Sequence, residues 1–256
     1  MKYFTLVLII ISLNACSYSP NMKLDSNTRP EDYMYIKDPT KTLNMIHKFS
    51  LPGDCNKRIY DNAKNSMHYG RGRSDCSENS VRSELYEEVW EDHRPGEKQP
   101  IYMWYTWDVY LPHNFPIQKS GKLLLGQFHN SDCPHLSFTS RGGMGGDNGI
   151  LHYETMRIYG DDCLATERKP ITKIQEMWGK WTNFLLEIKW SSNEDGIANI
   201  WIDGKQVLWH KGRTLTKSKE HRNYLKIGIY QCCNKQWKKI KPATAYFTHP
   251  IAGPTR

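Results

Sequence analysis

The chain has 256 residues, including nine tryptophans and fifteen tyrosines, and its formal net charge at pH 7 is +8. This length accommodates one large domain or two small ones and allows a substantial core. A basic, aromatic-rich surface suits a polyanionic partner, although composition alone fits a basic surface without a specific partner equally well.

Residues 1–15 have the pattern of a bacterial secretory signal. Lys2 precedes an apolar run over 4–13, which is too short to span a bilayer. The tetrapeptide LNAC at 13–16 is a lipobox, so cleavage before Cys16 predicts a lipid-bearing amino terminus. We expect an exported protein, either a cell-envelope lipoprotein of the outer membrane or periplasm or a secreted one. Its membrane contact would be the lipid anchor only, and its polyanion an acidic polysaccharide rather than nucleic acid.

Six cysteines remain once Cys16 is set aside: Cys55, Cys76, Cys133, Cys163, Cys232 and Cys233. An even number in an oxidising compartment predicts disulfides, and six cysteines allow fifteen pairings. Connectivity stays open, although Cys55 with Cys76 and Cys133 with Cys163 would each close a local loop. The adjacent Cys232 and Cys233 fit either separate outward partners or a bridge to each other. No pair has zinc-binding spacing, so the sequence predicts no metal site.

The rest of the chain divides into a tether and one domain. Residues 16–42 are polar and interrupted by prolines, which predicts a tether. Strand signals dominate over 43–256, including 101–112, 122–129, 183–190 and a hairpin at 198–210 around Asp203-Gly204, and the best helix signal lies near 170–178. Many short strands with little helix predict a single all-β domain, an antiparallel two-sheet jelly roll (concanavalin A-like sandwich) with a concave substrate groove.

Three of the predicted strands carry a polar face. In the segment 81–87, Arg82, Glu84 and Tyr86 alternate with apolar or small residues. In the segment 123–130, Gln127 and His129 share a face, which Leu123 and Leu125 occupy farther back. In the segment 224–231 one face carries Leu225, Ile227 and Ile229, and the other carries Tyr224, Lys226, Gly228 and Tyr230.

Taken singly, each pair fits an ordinary role, such as a surface ion pair or a half-buried tyrosine. Together they are the set needed to break a uronic-acid glycoside by β-elimination: cations and amides to neutralise the carboxylate, and a base and an acid to move protons. Lys226 and Tyr230 are about 13 Å apart along a strand, so Lys226 would contact a neighbouring sugar. Gly228 between them would leave room for a sugar ring.

The motifs "RSEL" (82–85), "QFH" (127–129) and "YLKIGIYQ" (224–231) resemble, in this order, the signatures of jelly-roll alginate lyases. The glutamine-x-histidine pair and the lysine four residues before a tyrosine also resemble heparin lyase I and the glucuronan lyases. Gln231 stands where the alginate lyases usually have asparagine, which favours glucuronan or heparin- and heparan-like chains over alginate.

The resemblance implies a lyase that leaves a 4,5-unsaturated uronate end. Tyr230 would be the catalytic acid and also a candidate base, and His129 the base or a charge neutraliser. Arg82 and Gln127 would hold the carboxylate. Lys226 would bind substrate, Glu84 would orient Arg82 there, and Tyr224 joins the substrate-binding group without an assigned role. No cofactor is required, calcium is an optional one, and a monomer is expected.

Two other classes compete with this interpretation. A non-catalytic carbohydrate-binding lectin would use the same sandwich, with Trp104, Trp107, Trp201 and Trp209 stacking on sugar rings. A jelly-roll glycoside hydrolase would need two carboxylates around the scissile bond, and the E-x-D-x-x-E strand motif of one such class is absent from the sequence.

Overall fold

A computed structural model describes residues 17–26, 28, 30–51, 80–87, 102–117, 121–129, 133–142, 149–159, 162–216, 223–232 and 241–254. Short 3-10 helices span Pro30–Asp32 and Ile174–Met177. The strands in these ranges are β1 (Met22–Leu24), β2 (Tyr33–Lys37), β3 (Met45–Leu51), β4 (Val81–Glu87), β5 (Tyr102–Tyr110), β6 (Gly121–His129), β7 (Pro134–Gly142), β8 (Ile150–Tyr159), β9 (Asp162–Lys173), β10 (Trp181–Lys189), β11 (Ile197–Ile202), β12 (Lys205–Lys211), β13 (Tyr224–Cys232), β14 (Ala243–Phe247) and β15 (Ile251–Pro254).

The strands form two antiparallel sheets. A seven-stranded sheet has the order β1-β4-β13-β6-β7-β8-β9. An eight-stranded sheet has the order β12-β11-β10-β5-β14-β3-β2, with β15 also pairing β5. This arrangement confirms the predicted all-β jelly-roll sandwich, and the three strands with polar faces, β4, β13 and β6, are direct neighbours in the seven-stranded sheet.

The core lies between the two sheets and follows from strand alternation. In β13 the core-facing residues Leu225, Ile227 and Ile229 are fully buried. Aromatic rings connect the sheets: Phe138 of β7 meets Phe184 of β10 edge-to-face, with ring centroids 5.8 Å apart. Burying one large apolar side chain contributes roughly 1.5–3 kcal/mol relative to leaving it exposed. The face of β13 that carries Leu225, Ile227 and Ile229 therefore packs in the core.

Two local predictions are confirmed. Asp203 (φ 50°) and Gly204 (φ 76°) both have positive φ between β11 and β12, which is the backbone of a type I′ hairpin turn. Cys133 and Cys163 form a disulfide with a Cα–Cα distance of 5.7 Å, tying the start of β7 to β9. Cys16, Cys55, Cys76 and Cys233 lie outside the described residues.

Cys232 is buried at the end of β13, and its pairing stays an open prediction. Two expectations need correction. The helix predicted near 170–178 is reduced to the 3-10 turn Ile174–Met177, because β9 continues to Lys173 in pairing with β8.

No helix in the described ranges is long and apolar enough to cross a membrane.

The second correction concerns residues 16–42, expected to be a tether. β1 pairs with β4 in one sheet and β2 pairs with β3 in the other. Tyr18 forms an antiparallel bridge with Ala252, and the Pro20 carbonyl accepts a hydrogen bond from His249 Nε2 at 2.9 Å. The described part of this segment is therefore built into both sheets of the sandwich.

Candidate active site

The polar faces of β4 and β13 meet in register. Arg82 lies opposite Tyr230, Glu84 opposite Gly228, and Tyr86 opposite Lys226. Because the alternate residues of both strands enter the core, these side chains share the outer face of the seven-stranded sheet. The predicted division of both strands into a core face and a polar face is confirmed.

β6 reaches the same face through an irregularity that the sequence pattern does not show. Gln127 lies opposite Lys226, and its neighbour Phe128 enters the core. The β6–β7 register shifts between Leu124 and Gly126, so Leu123 and Leu125 also enter the core. The expectation that these leucines share a face with Gln127 is therefore wrong, because the bulge reverses the alternation.

Glu84 organises the centre of this face. It is 1% exposed; Gln127 Nε2 donates to its Oε1 at 2.9 Å, and Arg82 Nη1 lies 3.5 Å from its Oε2. Burial raises the pKa of Glu84, while the positive charges of Lys226 and Arg82 act in the opposite direction. The carboxylate faces three donors of this chain, which fits the predicted role of orienting Arg82.

Lys226 is held inside the protein by carboxylates. Its Nζ lies 2.6 Å from Asp25 Oδ2 and 3.6 Å from Glu84 Oε2, and the residue is 4% exposed. Burial alone would lower its pKa, but Glu84 and Asp25 together outweigh burial and raise it, so the amine is charged. This arrangement differs from the expected grip on a neighbouring sugar, and a substrate contact of Lys226 stays a prediction.

Asp25 is a site residue that the sequence analysis missed. Its backbone N–H donates to the Glu84 carbonyl at 3.0 Å. Thr28 Oγ1 donates to the same carbonyl at 3.1 Å and accepts from the Glu84 N–H at 2.8 Å. Because the partner strand β1 has only three residues, no periodic pattern in the sequence marks this contact.

Tyr230 lies beside Arg82. The guanidinium carbon of Arg82 is 4.2 Å from the centroid of the Tyr230 ring, within the range of a cation–π contact. Tyr230 is partly exposed and the Arg82 side chain is 14% exposed, so both are accessible from the polar face. Arg82 therefore contacts both Tyr230 and Glu84, and Gln127 contacts Glu84 from the neighbouring strand.

His129 lies at the other end of this group. It faces Tyr224, whose hydroxyl is 3.5 Å from His129 Nδ1, whereas Tyr230 lies opposite Leu124. His129 follows Leu124 by five positions in β6, which corresponds to about 16–17 Å between their Cα atoms. The backbone thus places His129 and Tyr230 at opposite ends of the site, with the Gln127 and Glu84 side chains between them.

Gly228 lies where the backbones of β13 and β4 approach each other closely. Its φ is 135°, and a Cβ there would approach the Ser83 carbonyl oxygen and, at 2.8 Å, the Glu84 Cα. The residue thus allows β13 to lie close against β4 in a conformation that other residues rarely adopt. The expectation that Gly228 leaves room for a sugar ring is replaced by this close approach of two strands.

No group of three or more histidine, cysteine, aspartate or glutamate side chains within the described ranges is arranged to hold a metal ion. Calcium was an optional cofactor in the sequence analysis, and this stays a prediction. Of the tryptophans considered for stacking, Trp104 and Trp107 are buried at 6% and 2% exposure, while Trp209 is 63% exposed.

The fold and site define a jelly-roll protein with an arginine-, lysine- and glutamine-bearing polar face. The polysaccharide lyase family model matches residues 28–249, so the chain belongs to the polysaccharide lyase family. It is accordingly an enzyme that acts on polysaccharides. No curated protein sequence matches the chain significantly.

Solved structures share the fold at low sequence identity. The endo-β-1,4-glucuronan lyase of the fungus Trichoderma reesei superposes with a TM-score of 0.58 at 15% identity, covering 87% of each chain. Alginate lyase A1-II′, of polysaccharide lyase family 7, gives a TM-score of 0.52 at 15% identity over 87% of this chain and 83% of its own. The binding domain of botulinum neurotoxin DC gives 0.50 at 9% identity over 92% and 43%. Likeness of fold alone does not separate lyases from binding domains, whereas the family match does.

Proposed function

We propose that the protein cleaves a uronic-acid-containing polysaccharide by β-elimination and leaves a 4,5-unsaturated uronate end. The observation that carries the proposal is the convergence of Arg82 and Gln127 on Glu84, beside Tyr230. Family membership supports the class of reaction.

The first chemical requirement is to neutralise the sugar carboxylate. The C5 proton of a uronate is weakly acidic, because its removal adds charge next to an existing carboxylate. Arg82 and Gln127 both carry N–H donors and are fixed by Glu84, so they would bind the carboxylate in its enolate-like form without reorganising.

The second requirement is a base for C5 and an acid for the leaving O4. His129 and Tyr230 lie at opposite ends of the site, at least as far apart as Lys226 and Tyr230, so the same distance argument assigns them to different sugars. Tyr230, beside Arg82, would therefore take both roles, removing the C5 proton as the phenolate and then returning that proton to the leaving O4. His129, beside Tyr224, would contact the neighbouring sugar.

The substrate we favour is a glucuronate-containing chain, such as glucuronan or a heparin- or heparan-like polymer, over alginate. The solved glucuronan lyase fold supports this choice, together with Gln231 in place of the usual asparagine. The net charge of +8 suits such a polyanion. We further propose export through the signal at 1–15, with acylation at Cys16.

The test is cleavage of a panel of glucuronan, heparin, heparan sulfate, hyaluronan and alginate, followed by the ultraviolet absorbance of the unsaturated product. We expect activity on a glucuronate polymer. Tyr230→Phe, which keeps the ring over Arg82, should lower kcat at least about 100-fold with substrate binding retained. Tyr246→Phe, on the eight-stranded sheet, is the matched control. Flat absorbance on every polymer, with measurable binding to one, would contradict elimination and favour a lectin.

A further inference from the structure

The proposed lipid anchor lies next to the folded sandwich in the chain. Only Ser17 separates Cys16 from Tyr18, whose backbone pairs with that of Ala252 through two hydrogen bonds of 2.7 and 2.9 Å. At about 3.8 Å per residue, the Cα atoms of Cys16 and Tyr18 are at most about 7.6 Å apart. An acylated Cys16 would therefore hold the β15 edge of the sandwich at the membrane surface, without the expected tether.

The surface beside this attachment point is apolar and exposed. Ile251 precedes Ala252 in β15 and is 44% exposed. Because Ala252 enters the core, the Ile251 side chain belongs to the outer face of the eight-stranded sheet. Tyr18, at the edge of the same sheet, is 36% exposed. An exposed isoleucine thus lies one residue from the strand position that pairs with Tyr18.

Ile251 begins a row of uncharged residues that crosses the outer face of the eight-stranded sheet. The directly opposed residues of the next three strands, β5, β10 and β11, are Thr106, Leu185 and Trp201. The neighbours of each along its strand enter the core, and all three are partly exposed. At about 4.8 Å per strand, the row is about 14 Å wide. An exposed apolar surface of this kind marks a contact with a partner or a membrane.

Aromatic side chains flank this row on the same face. Tyr102 of β5 is 40% exposed, and Trp209 of β12 is 63% exposed. Tyrosine and tryptophan rings favour the headgroup level of a bilayer, because they are apolar with one polar end. Glu187 lies on this face too and accepts a hydrogen bond from Asn199 Nδ2 at 3.1 Å. We therefore expect the contact to be apolar rather than a charge attraction, and neutral lipid is the suitable probe.

The candidate active site lies on the other side of the sandwich. Arg82, Gln127 and Tyr230 belong to the seven-stranded sheet and share its outer face, whereas the Ile251 row lies on the outer face of the eight-stranded sheet. The core lies between the two sheets, which pack about 10 Å apart. A membrane against the Ile251 row would leave the polar face open to a long polymer.

We propose that acylated Cys16 seats the outer face of the eight-stranded sheet, around Ile251, on the bilayer, so that the active-site face points into the aqueous space. The inference rests on the proposed acylation of Cys16 and is independent of β-elimination. It extends the expected membrane contact, which was the lipid anchor only, to one face of the domain.

The test uses the full acylated protein in phosphatidylcholine vesicles whose acyl chains carry bromine near the headgroups, because bromine quenches tryptophan fluorescence on close contact. The fluorescence that Ile251→Trp adds to the wild-type signal should be quenched by these vesicles and not by unbrominated ones. The matched control is Leu164→Trp, at a 51% exposed position on β9 of the other sheet, whose added fluorescence should not be quenched.

An Ile251→Trp variant that folds and shows no more quenching than Leu164→Trp overturns the proposal. Should Ile251→Trp not fold, Tyr102→Trp keeps an aromatic ring on the same face, and its added fluorescence decides in the same way. A mature protein whose amino-terminal peptide carries no lipid by mass spectrometry overturns the docking and leaves β-elimination intact. If instead no uronate polymer is cleaved, β-elimination fails, yet quenching in Ile251→Trp still supports the docking.

Discussion

Among the residues of the candidate site, Glu84 connects three others: it contacts Arg82, Gln127 and Lys226 while being almost inaccessible to solvent. A carboxylate in this position costs free energy through burial and recovers it through its partners. Its contribution to the site is the fixed placement of donors, which a mobile surface ion pair does not provide.

Arg82→Lys tests whether placement or charge matters. Lysine keeps the positive charge but lacks the planar group that stacks on Tyr230 and reaches Glu84. We expect kcat/KM on the best substrate to fall about 100-fold, roughly 2.7 kcal/mol, with little change in melting temperature. Arg213→Lys, whose guanidinium pairs with the exposed Glu194, is the control and should match the wild type. Full activity in Arg82→Lys would show that charge suffices.

Asp25→Asn tests the ion pair with Lys226. The folded-state pKa of Lys226 is raised above 10.5, so its stabilising contribution is present below that pH and is lost as pH rises through the folded value. Without the Asp25 charge this loss should begin at lower pH, and the free energy of unfolding at neutral pH should fall by about 1–3 kcal/mol. Denaturant unfolding across alkaline pH measures both.

The control for this change is Asp195→Asn, which removes the charge from an exposed pair with Lys189. Its effect should be much smaller than that of Asp25→Asn, because solvent screens an exposed ion pair. Equal effects of the two substitutions would show that the Asp25 pair is no more than a surface contact. Short motifs predict roles for Arg82, Gln127 and Glu84, whereas Asp25 reaches the site because the three-residue strand before it pairs with β4, which no local pattern predicts.

At the level of elements, alternation in sequence predicted which faces of β4 and β13 enter the core. It failed in β6, because a bulge adds a residue on one strand and reverses every following side chain. Alternation also assigned Gly228 to the substrate groove. The structure shows instead that glycine is required there because the backbone of the partner strand β4 lies close to it. Register irregularities belong to pairs of strands, so one strand's sequence does not reveal them.

Gly228→Ala tests the close approach. A Cβ there would meet backbone atoms of Ser83 and Glu84, which cannot rotate away. We expect a loss of at least about 3 kcal/mol in unfolding free energy, from left-handed strain plus displacement of β4. Gly204→Ala is the control: its φ is also positive, but no atom lies within 4 Å of the added Cβ, so strain of about 1–2 kcal/mol is the whole cost. Similar losses in both variants would contradict the close-approach account.

Across the whole molecule, a chain of hydrogen bonds ties the amino-terminal segment to the eight-stranded sheet. His249 Nε2 donates to the Pro20 carbonyl, so its Nδ1 accepts from His47 Nε2 at 3.1 Å. His47 Nδ1 therefore accepts from the Tyr33 hydroxyl at 2.9 Å. A second proton on His47 would have to displace the hydrogen bond that Tyr33 donates to Nδ1. Burial, and to a smaller extent the neighbouring His249, lowers the pKa of His47 to about 4.

The stability of the fold should therefore decrease on acidification. His47 binds a proton near pH 6.5 when unfolded and near pH 4 when folded, so the unfolded state gains protons first. We expect a loss on the order of 3 kcal/mol in unfolding free energy between these values. Urea unfolding at several pH values measures it, and His47→Gln should flatten the curve. An equally steep curve in the variant would assign the effect to other groups.

The family match begins at residue 28, three positions after the aspartate that neutralises Lys226. A recombinant protein trimmed to the family boundaries would lose Asp25, β1 and the Tyr18–Ala252 bridge, while every residue of the three motifs would remain. Such a protein would contain all three motifs, but Lys226 would lack its ion pair with Asp25. Inactivity of the trimmed form would then report on where the gene was cut rather than on the chemistry of the motifs.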